Sequence, residues 1–391
     1  MIIKRIQEQN LLAELTAVKS KVLILYGARQ VGKTTLIHET LRGFQGKVLE
    51  INADNIPFME SLSSRNLDQL KGLVHGYDLL FVDEAQRIPD IGINLKILHD
   101  QVPGLKIIAT GSSSLDLANR IKEPLTGRTW TFHLFPISAE EWASYYGAND
   151  YEVAQKLPEW LVYGLYPEVL GIENRVKKER YLQELTQSYL YRDILALANI
   201  RYPEKLRQIL KLLAWQAGNL VSVNELANTL QINRDAVSNY IDLLEKSFVI
   251  FRLSGFSRNL RKEMVKMDKI YFYDLGVRNA LIENYQPLTI RQDIGQLWEN
   301  FLMAERLKTS TYHFHHTNRY FWRTQTGAEL DYVEEYGGQL HGYEFKWGST
   351  SARAPKTWIE TYPEATFKCI NSGNFMDFVR LGKAGGEKVG S

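Results

Sequence analysis

A single cysteine, Cys369, occurs in 391 residues, so no internal disulfide can form and a disulfide-stapled scaffold is excluded. One unpaired thiol fits a reducing compartment, and a cytoplasmic protein is expected. Neither sign of charge is in excess. The 47 Lys and Arg face 45 Asp and Glu, so any basic surface for nucleic acid must be local. Long apolar runs are missing as well. The longest early run, Val22 to Tyr26, is far short of a membrane span. Met1-Ile2-Ile3-Lys4-Arg5 offers no apolar segment of signal-peptide length, and no membrane partner is expected. There is no internal repeat, and the one low-complexity stretch is the tail from Gly382 to Ser391, expected to be flexible. What remains is 45% apolar and 24% charged, the balance of a globular protein. At this length about two to four compact units are expected.

The first third alternates short apolar strands with helical stretches. Val22–Tyr26, Val48–Asn52, Leu79–Asp83, Lys106–Thr110 and Thr129–Leu134 are the predicted strands, and that alternation implies a parallel sheet covered on both faces. From about Glu140 to Trp215 the pattern is helical. From Val221 to Leu253 it reads helix, tight turn, helix, strand. From Gln292 onward a long amphipathic helix precedes a run of strands.

Gly27-Ala28-Arg29-Gln30-Val31-Gly32-Lys33-Thr34 follows the first strand and opens a helix, with the G-x-x-x-x-G-K-T spacing of a phosphate-binding loop. The glycines let backbone N–H groups curl around a phosphate, and the positive end of the following helix adds to the field. Lys33 would reach the β- and γ-phosphates of ATP and Thr34 would ligate Mg²⁺, with Thr35 completing the nucleotide-binding stretch. Fifty residues after Lys33, the strand Leu79-Leu80-Phe81-Val82 ends in Asp83 and Glu84. Asp83 would hold Mg²⁺ through water, and Glu84 would orient and deprotonate the attacking water. Lys106-Ile107-Ile108-Ala109-Thr110-Gly111-Ser112-Ser113 would place Thr110 or Ser112 beside the γ-phosphate as a sensor. Arg128, in Leu125-Thr126-Gly127-Arg128 with Arg120 behind it, is the candidate arginine finger, acting on a neighbouring subunit's nucleotide.

On GARQVGKT, LLFVDEAQ, ATGSSS and LTGR with the following FPIS, residues 1 to about 140 resemble the AAA+ superfamily of ATPases. The whole chain resembles a widespread prokaryotic group in which this core carries a C-terminal domain of unknown function. The resemblance implies ATP hydrolysis and assembly as a ring, often a hexamer.

Two further segments carry chemistry. Val221–Leu230 reads as a short helix with Leu226, Ala227 and Leu230 inward, Gln231-Ile232-Asn233 turns, and Asn233 caps Arg234 to Lys246 with Val237, Tyr240, Ile241 and Leu244 on one face. Phe248 to Phe251 then gives a strand. This resembles a winged helix, a fold often used on DNA. Its second helix has mixed charge, whereas Arg252, Arg258, Arg261, Lys262, Lys266 and Lys269 suggest a basic wing. Downstream, Ile294, Leu297, Trp298, Phe301, Leu302 and Leu307 have helical spacing with Glu299 on the flank. Glu344 and Lys346 share one face of a strand, and a neighbouring strand carrying Asp331 would bring two carboxylates and an ammonium together. Carboxylates can hold Mg²⁺ and the lysine can position a water. This resembles the PD-(D/E)xK nuclease fold, with Glu299, Asp331, Glu344 and Lys346 as its motif and Leu330 where a proline usually precedes the aspartate. His313, His315 and His316 are read as a polar strand or loop, since no cysteines accompany them.

The expected fold is therefore α/β: a P-loop AAA+ parallel sheet over residues 1–140, a helical lid or connector over 141–215, a winged helix over 216–288, and a small α/β nuclease-like domain over 289–381. Residues 382–391 form the tail. The expected function is Mg²⁺-dependent ATP hydrolysis by a homo-oligomeric motor acting on DNA, which the C-terminal domain would cleave or hold. A nucleotide-switched scaffold and a protein-remodelling ATPase are the competing readings.

Overall fold

The structure, a computed structural model, describes residues 2–53, 55–112, 124–190, 202–257, 267–324, 326–348 and 350–381. The chain divides into two compact units. Of the described residues, the first holds those up to 136 with 246–248, and the second holds the remainder.

The first unit is built on five parallel strands. They are β1 (Val22–Tyr26), β2 (Val48–Asn52), β3 (Leu79–Asp83), β4 (Lys106–Gly111) and β5 (Thr129–His133). Their spatial order is β2-β3-β4-β1-β5. Four of the predicted strands are matched to within a residue, and β5 ends one residue early. Leu134 N–H makes the last rung of the β1–β5 ladder, donating to Tyr26 O at 2.7 Å. β1 and β3 are buried along their whole length, as continuous apolar runs in a parallel sheet covered on both faces require. Helices α1 (Ile6–Thr16), α2 (Lys33–Leu41), α3 (Ile56–Leu62), α4 (Leu67–Val74) and α5 (Ile91–Gln101) accompany them.

The second unit begins with helices. These are α6 (Ala139–Tyr146), α7 (Asp150–Tyr163), α8 (Pro167–Gly171), α9 (Arg175–Glu184) and α10 (Pro203–Trp215). Ser138 and Asn149 start α6 and α7 with reciprocal caps, through Glu141 and Glu152, which satisfy N–H groups the helix cannot. Then come β6 (Leu220–Val221), α11 (Val223–Leu230), α12 (Arg234–Lys246), β7 (Ile250–Gly255) and β8 (Asp268–Phe272). α11 and α12 bury the residues their periodicity assigns, and Asn233 Oδ1 accepts from Ala236 N–H at 2.7 Å. The strand expected at Phe248–Phe251 begins two residues later. Phe248 adopts φ 57°, a left-handed turn conformation outside strand geometry.

Helix α13 (Leu275–Leu281), buried at every position, leads to α14 (Ile294–Tyr312), β9 (Asn318–Arg323), β10 (Glu329–Tyr336), β11 (Gln339–Phe345), α15 (Lys356–Thr361), β12 (Thr366–Ile370) and α16 (Phe375–Val379). The strands form one seven-stranded sheet, β12-β11-β10-β9-β7-β8-β6. β7 pairs in parallel with β9 through Ser254↔Tyr320 and Gly255↔Phe321. Strands on either side of the boundary expected at 288/289 share this sheet. The tail 382–391 lies outside the described residues. Among those described, no helix is long and apolar enough to cross a membrane.

Candidate functional sites

In the first unit, β1 delivers the chain into the loop Gly27–Gly32 at the carboxyl edge of the sheet, where open α/β sheets bind ligands. Gly32 has φ 94°, a conformation open to glycine at little cost. Gly27 is required by crowding, since a Cβ there would lie 2.2 Å from Leu134 O. Lys33 is buried, and its Nζ donates to Gly27 O and Ala28 O, each at 3.0 Å. The loop is pinned from outside by a residue the sequence did not single out. Arg5 donates from Nη1 to Val31 O at 2.9 Å and from Nη2 to Phe135 O at 2.6 Å.

The acids closing β3 meet this loop. Thr34 Oγ1 donates to Asp83 Oδ2 at 2.8 Å, across 49 residues of sequence. Thr110, fully buried, donates its hydroxyl to Asp83 Oδ1, and Thr110 Oγ1 in turn accepts Glu84 N–H at 3.1 Å. Glu84 takes a left-handed φ of 52°, an uncommon conformation for a non-glycine residue and one found at functional turns. Its Oε2 accepts from Gln86 Nε2 at 2.6 Å, and that nitrogen also donates to Ser112 Oγ at 3.1 Å. Hydrogen bonds therefore join the loop to Lys33 and Thr34 to Asp83, and Glu84 adjoins them through Thr110. Thr110 faces Asp83 and the Glu84 backbone, while Ser112 faces the Gln86 side chain.

Arg128 is elsewhere. It lies at the start of β5, where its carbonyl accepts Val22 N–H at 2.9 Å. That is one strand length, roughly 16 Å, from its own phosphate loop. Its Nε donates to Asp100 Oδ1 at 2.8 Å, and this bond pulls the Asp100 carboxyl below its usual range. Arg120 lies outside the described residues.

A second cluster lies within the second unit. α14 is fixed against β8 by Asn300, which accepts Phe272 N–H at 2.9 Å and donates to Phe272 O at 2.7 Å. Two turns from Glu299, Arg306 grips Glu334 of β10 through two bonds of 2.7 and 2.6 Å. These clamps register the helix carrying Glu299 over the strand carrying Asp331. The β9–β10 ladder slips between Leu330 and Val333, and such a bulge re-aims side chains. Asp331 Oδ2 accepts Phe345 N–H at 2.7 Å. Lys346 donates to Glu344 Oε1 at 2.6 Å. Burial, followed by the charges of Glu299 and Glu344, pushes the Asp331 carboxyl up to about 7. Burial also raises Glu299. The four predicted residues thus share one region.

Three more residues belong to it. Lys269, buried on β8, places Nζ 3.2 Å from Glu299 Oε1 and 2.7 Å from Glu329 Oε1. Tyr271 Oη donates to Glu299 Oε1 at 2.6 Å. The signal was the i, i+2 pair Lys269/Tyr271 on one face of a strand, hidden because Lys269 was counted with the basic wing. Of that wing, Arg252 is bound to Glu245 and Asp242, Lys269 is internal, and Arg258, Arg261, Lys262 and Lys266 lie outside the described residues. His313, at the end of α14, pairs with Glu140 at 3.0 Å.

Both donor sets are hard oxygens of the kind Mg²⁺ and Mn²⁺ prefer. Among the described residues no three Asp, Glu, His or Cys side chains converge as they would around an ion. In the second cluster each carboxylate is already engaged by a lysine, a tyrosine or a backbone N–H.

A family model described as an AAA domain matches residues 19–143, and two described as domains of unknown function, DUF8612 and DUF4143, match 154–288 and 294–371. An uncharacterized protein of Mycobacterium tuberculosis is 30% identical over 336 residues, 85% of this chain and 71% of its own length. One from Methanocaldococcus jannaschii is 24% identical over 353 residues, 85% and 76% respectively. A solved RuvB Holliday junction branch migration motor from Thermotoga maritima aligns at 19% identity over 64% of this chain and 90% of its own, with a TM-score of 0.32. A likeness that loose carries no argument.

Proposed function

Since the chain belongs to the same family as its mycobacterial relative, as an AAA ATPase with a DUF4143 C-terminal domain, we propose that its loop binds ATP with Mg²⁺ and that Glu84 drives hydrolysis. The nucleotide-binding stretch is Gly27, Ala28, Arg29, Gln30, Val31, Gly32, Lys33, Thr34 and Thr35. Lys33 neutralises the β- and γ-phosphates, and Thr34 with Asp83 holds Mg²⁺, which supplies further positive charge to the triphosphate. Glu84 accepts the proton of the attacking water. Thr110 holds Asp83 and the Glu84 backbone in place. Arg128 acts on the nucleotide of a neighbouring copy in a ring, a role that its distance from its own loop favours. The observation that carries this reading is the Thr34–Asp83 bond at 2.8 Å, which joins the glycine loop to the acidic strand. Isothermal titration with MgATP tests it. Lys33→Ala should lose binding, and Glu84→Gln should bind at wild-type affinity without turnover. Wild-type turnover in Glu84→Gln would remove the base assignment.

For the second unit we propose DNA as the substrate. The order α10-β6-α11-α12-β7-β8 supports a winged helix. The order α14-β9-β10-β11-α15-β12, with Glu299, Asp331, Glu344 and Lys346 in one region, supports a PD-(D/E)xK nuclease-like domain that holds Mg²⁺ on its carboxylates, with Lys346 positioning a water. DNA-stimulated ATP turnover, and Mg²⁺-dependent nicking lost in Asp331→Ala and Lys346→Ala, are the expected results. ATP turnover indifferent to DNA would favour a nucleotide-switched scaffold or a protein-remodelling ATPase.

A further inference from the structure

We propose that Lys269 is the resident cation of the Glu299–Asp331–Glu344 cluster, and that a divalent ion binds there by displacing its ammonium from Glu299. The inference rests on reading that cluster as a cation site. Lys269 stands outside the helix–strand–strand motif that defines the cluster. It comes from β8, which is separated from β10 by β7 and β9. To reach Glu329 at 2.7 Å its side chain crosses the sheet face, with Nζ 5.5 Å from the centre of the Phe321 ring. A lysine held extended and out of water loses rotamer freedom and hydration together, so its position requires a concentration of negative charge at its tip. Glu299 and Glu329 supply it.

The ammonium also accounts for the arrangement of the carboxylates. Glu299 Oε1, the oxygen α14 could offer a metal, already receives Lys269 at 3.2 Å and Tyr271 at 2.6 Å. Asp331 meanwhile faces the Phe345 N–H, and Glu344 faces Lys346. A small divalent ion needs short, near-octahedral contacts to several such oxygens at once. The Lys269 ammonium competes with it for Glu299 Oε1, because two cations a few ångströms apart repel strongly in a partly desolvated site. Lys269 is thus a positioning residue. Without the metal it keeps Glu299 turned to β8, and it releases Glu299 when the metal enters.

The test is Mn²⁺ binding to the full chain, followed by calorimetry and Mn²⁺ electron paramagnetic resonance. It is run in an Asp83→Asn background so that the phosphate loop contributes no site. Lys269→Met should bind Mn²⁺ at least about tenfold more tightly than the background, from removal of a unit charge beside a divalent ion. Adding Asp331→Asn should abolish that binding. Lys269→Arg keeps the charge and should match the background. Lys269→Gln, which can still donate to Glu299 and Glu329, replaces the methionine variant should that one not fold. Unchanged or weaker Mn²⁺ binding in a folded, charge-neutral variant, with the background itself binding through Asp331, would overturn the displacement and leave the cation site standing. Absence of Mn²⁺ binding in the background and in every folded Lys269 variant would overturn the cation-site reading as well.

Discussion

Thr110→Val separates two roles for the residue that ends β4. In the structure its hydroxyl donates to Asp83 Oδ1 and accepts Glu84 N–H, and its side chain is fully buried. Valine keeps the shape and removes both bonds. A hydrogen bond to a charged group contributes about 1.5–3 kcal/mol, and an N–H left unsatisfied in the interior costs about 1–3 kcal/mol. The two share one oxygen and are not fully additive, so a loss of roughly 3–4 kcal/mol is expected in the edge formed by β3 and β4. That is a large part of a domain's total stability of about 5–15 kcal/mol. Hydrogen exchange read by mass spectrometry on peptides covering 79–84 and 106–111 would measure it without nucleotide. Thr110→Ser keeps the hydroxyl and loses one methyl group, and should cost about 1 kcal/mol.

Nucleotide binding supplies the second readout. A residue that positions Asp83 supports the metal under both ADP and ATP, so Thr110→Val should weaken MgADP and MgATP together. A residue that reads the γ-phosphate would weaken MgATP alone and leave exchange in the nucleotide-free protein unchanged. That second pattern would refute the positioning role and restore the sensor expected from the sequence.

Two further predictions concern the second unit. Arg306→Met leaves the buried Glu334 with the Tyr332 hydroxyl but no cation, and breaking a buried pair costs about 3–5 kcal/mol; urea unfolding of the unit should shift accordingly, and an unchanged midpoint would mean that the pair does not hold α14 on β10. The His313 imidazole is raised above its usual value, chiefly by its hydrogen bond with Glu140. Because the folded value lies above the unfolded one of about 6.5, its contribution is complete below pH 6.5 and fades as pH rises through the folded value. The pair is partly exposed and screened, so the contribution should stay below about 1 kcal/mol. The melting temperature of His313→Gln should therefore fall slightly below wild type at pH 6, and the gap should close as pH rises through the folded value.

The first unit was legible because its information is local. The spacing from Gly27 to Thr34 and the apolar runs ending at Asp83 and Gly111 specify strands and loops within a few residues of the groups that matter. Parallel order then brings the carboxyl ends together. The second unit depends on contacts between residues far apart in sequence. The pairing of Ser254–Gly255 with Tyr320–Phe321 joins strands more than 60 residues apart, and neither segment carries a mark of the other. Lys269 looked like part of a basic wing because charge counting is blind to direction. The alternation along β8 that turns Lys269 and Tyr271 to one face acquires meaning only once Asn300 of α14 is known to clamp Phe272. Arg5 was equally hidden, since it acts on the carbonyls of Val31 and Phe135, and carbonyls have no sequence signature.

The two clusters differ in the groups that surround their carboxylates. Asp83 is gripped by hydroxyls from Thr34 and Thr110. Neutral donors orient a carboxylate and partly offset its desolvation without cancelling its charge, so it retains its attraction for a metal arriving with the triphosphate. Around Asp331 the stabilising groups are themselves cations, Lys269 on Glu299 and Glu329 and Lys346 on Glu344. Such a centre is stable without metal, but a metal must compete with charges already in place. The first site should therefore take up Mg²⁺ at lower concentration than the second whenever ATP is bound. A Mg²⁺ titration following ATP turnover and DNA nicking in the same sample would reveal the order, with turnover saturating first. Nicking that saturates at or below the Mg²⁺ needed for turnover would show that the lysines do not guard the second site.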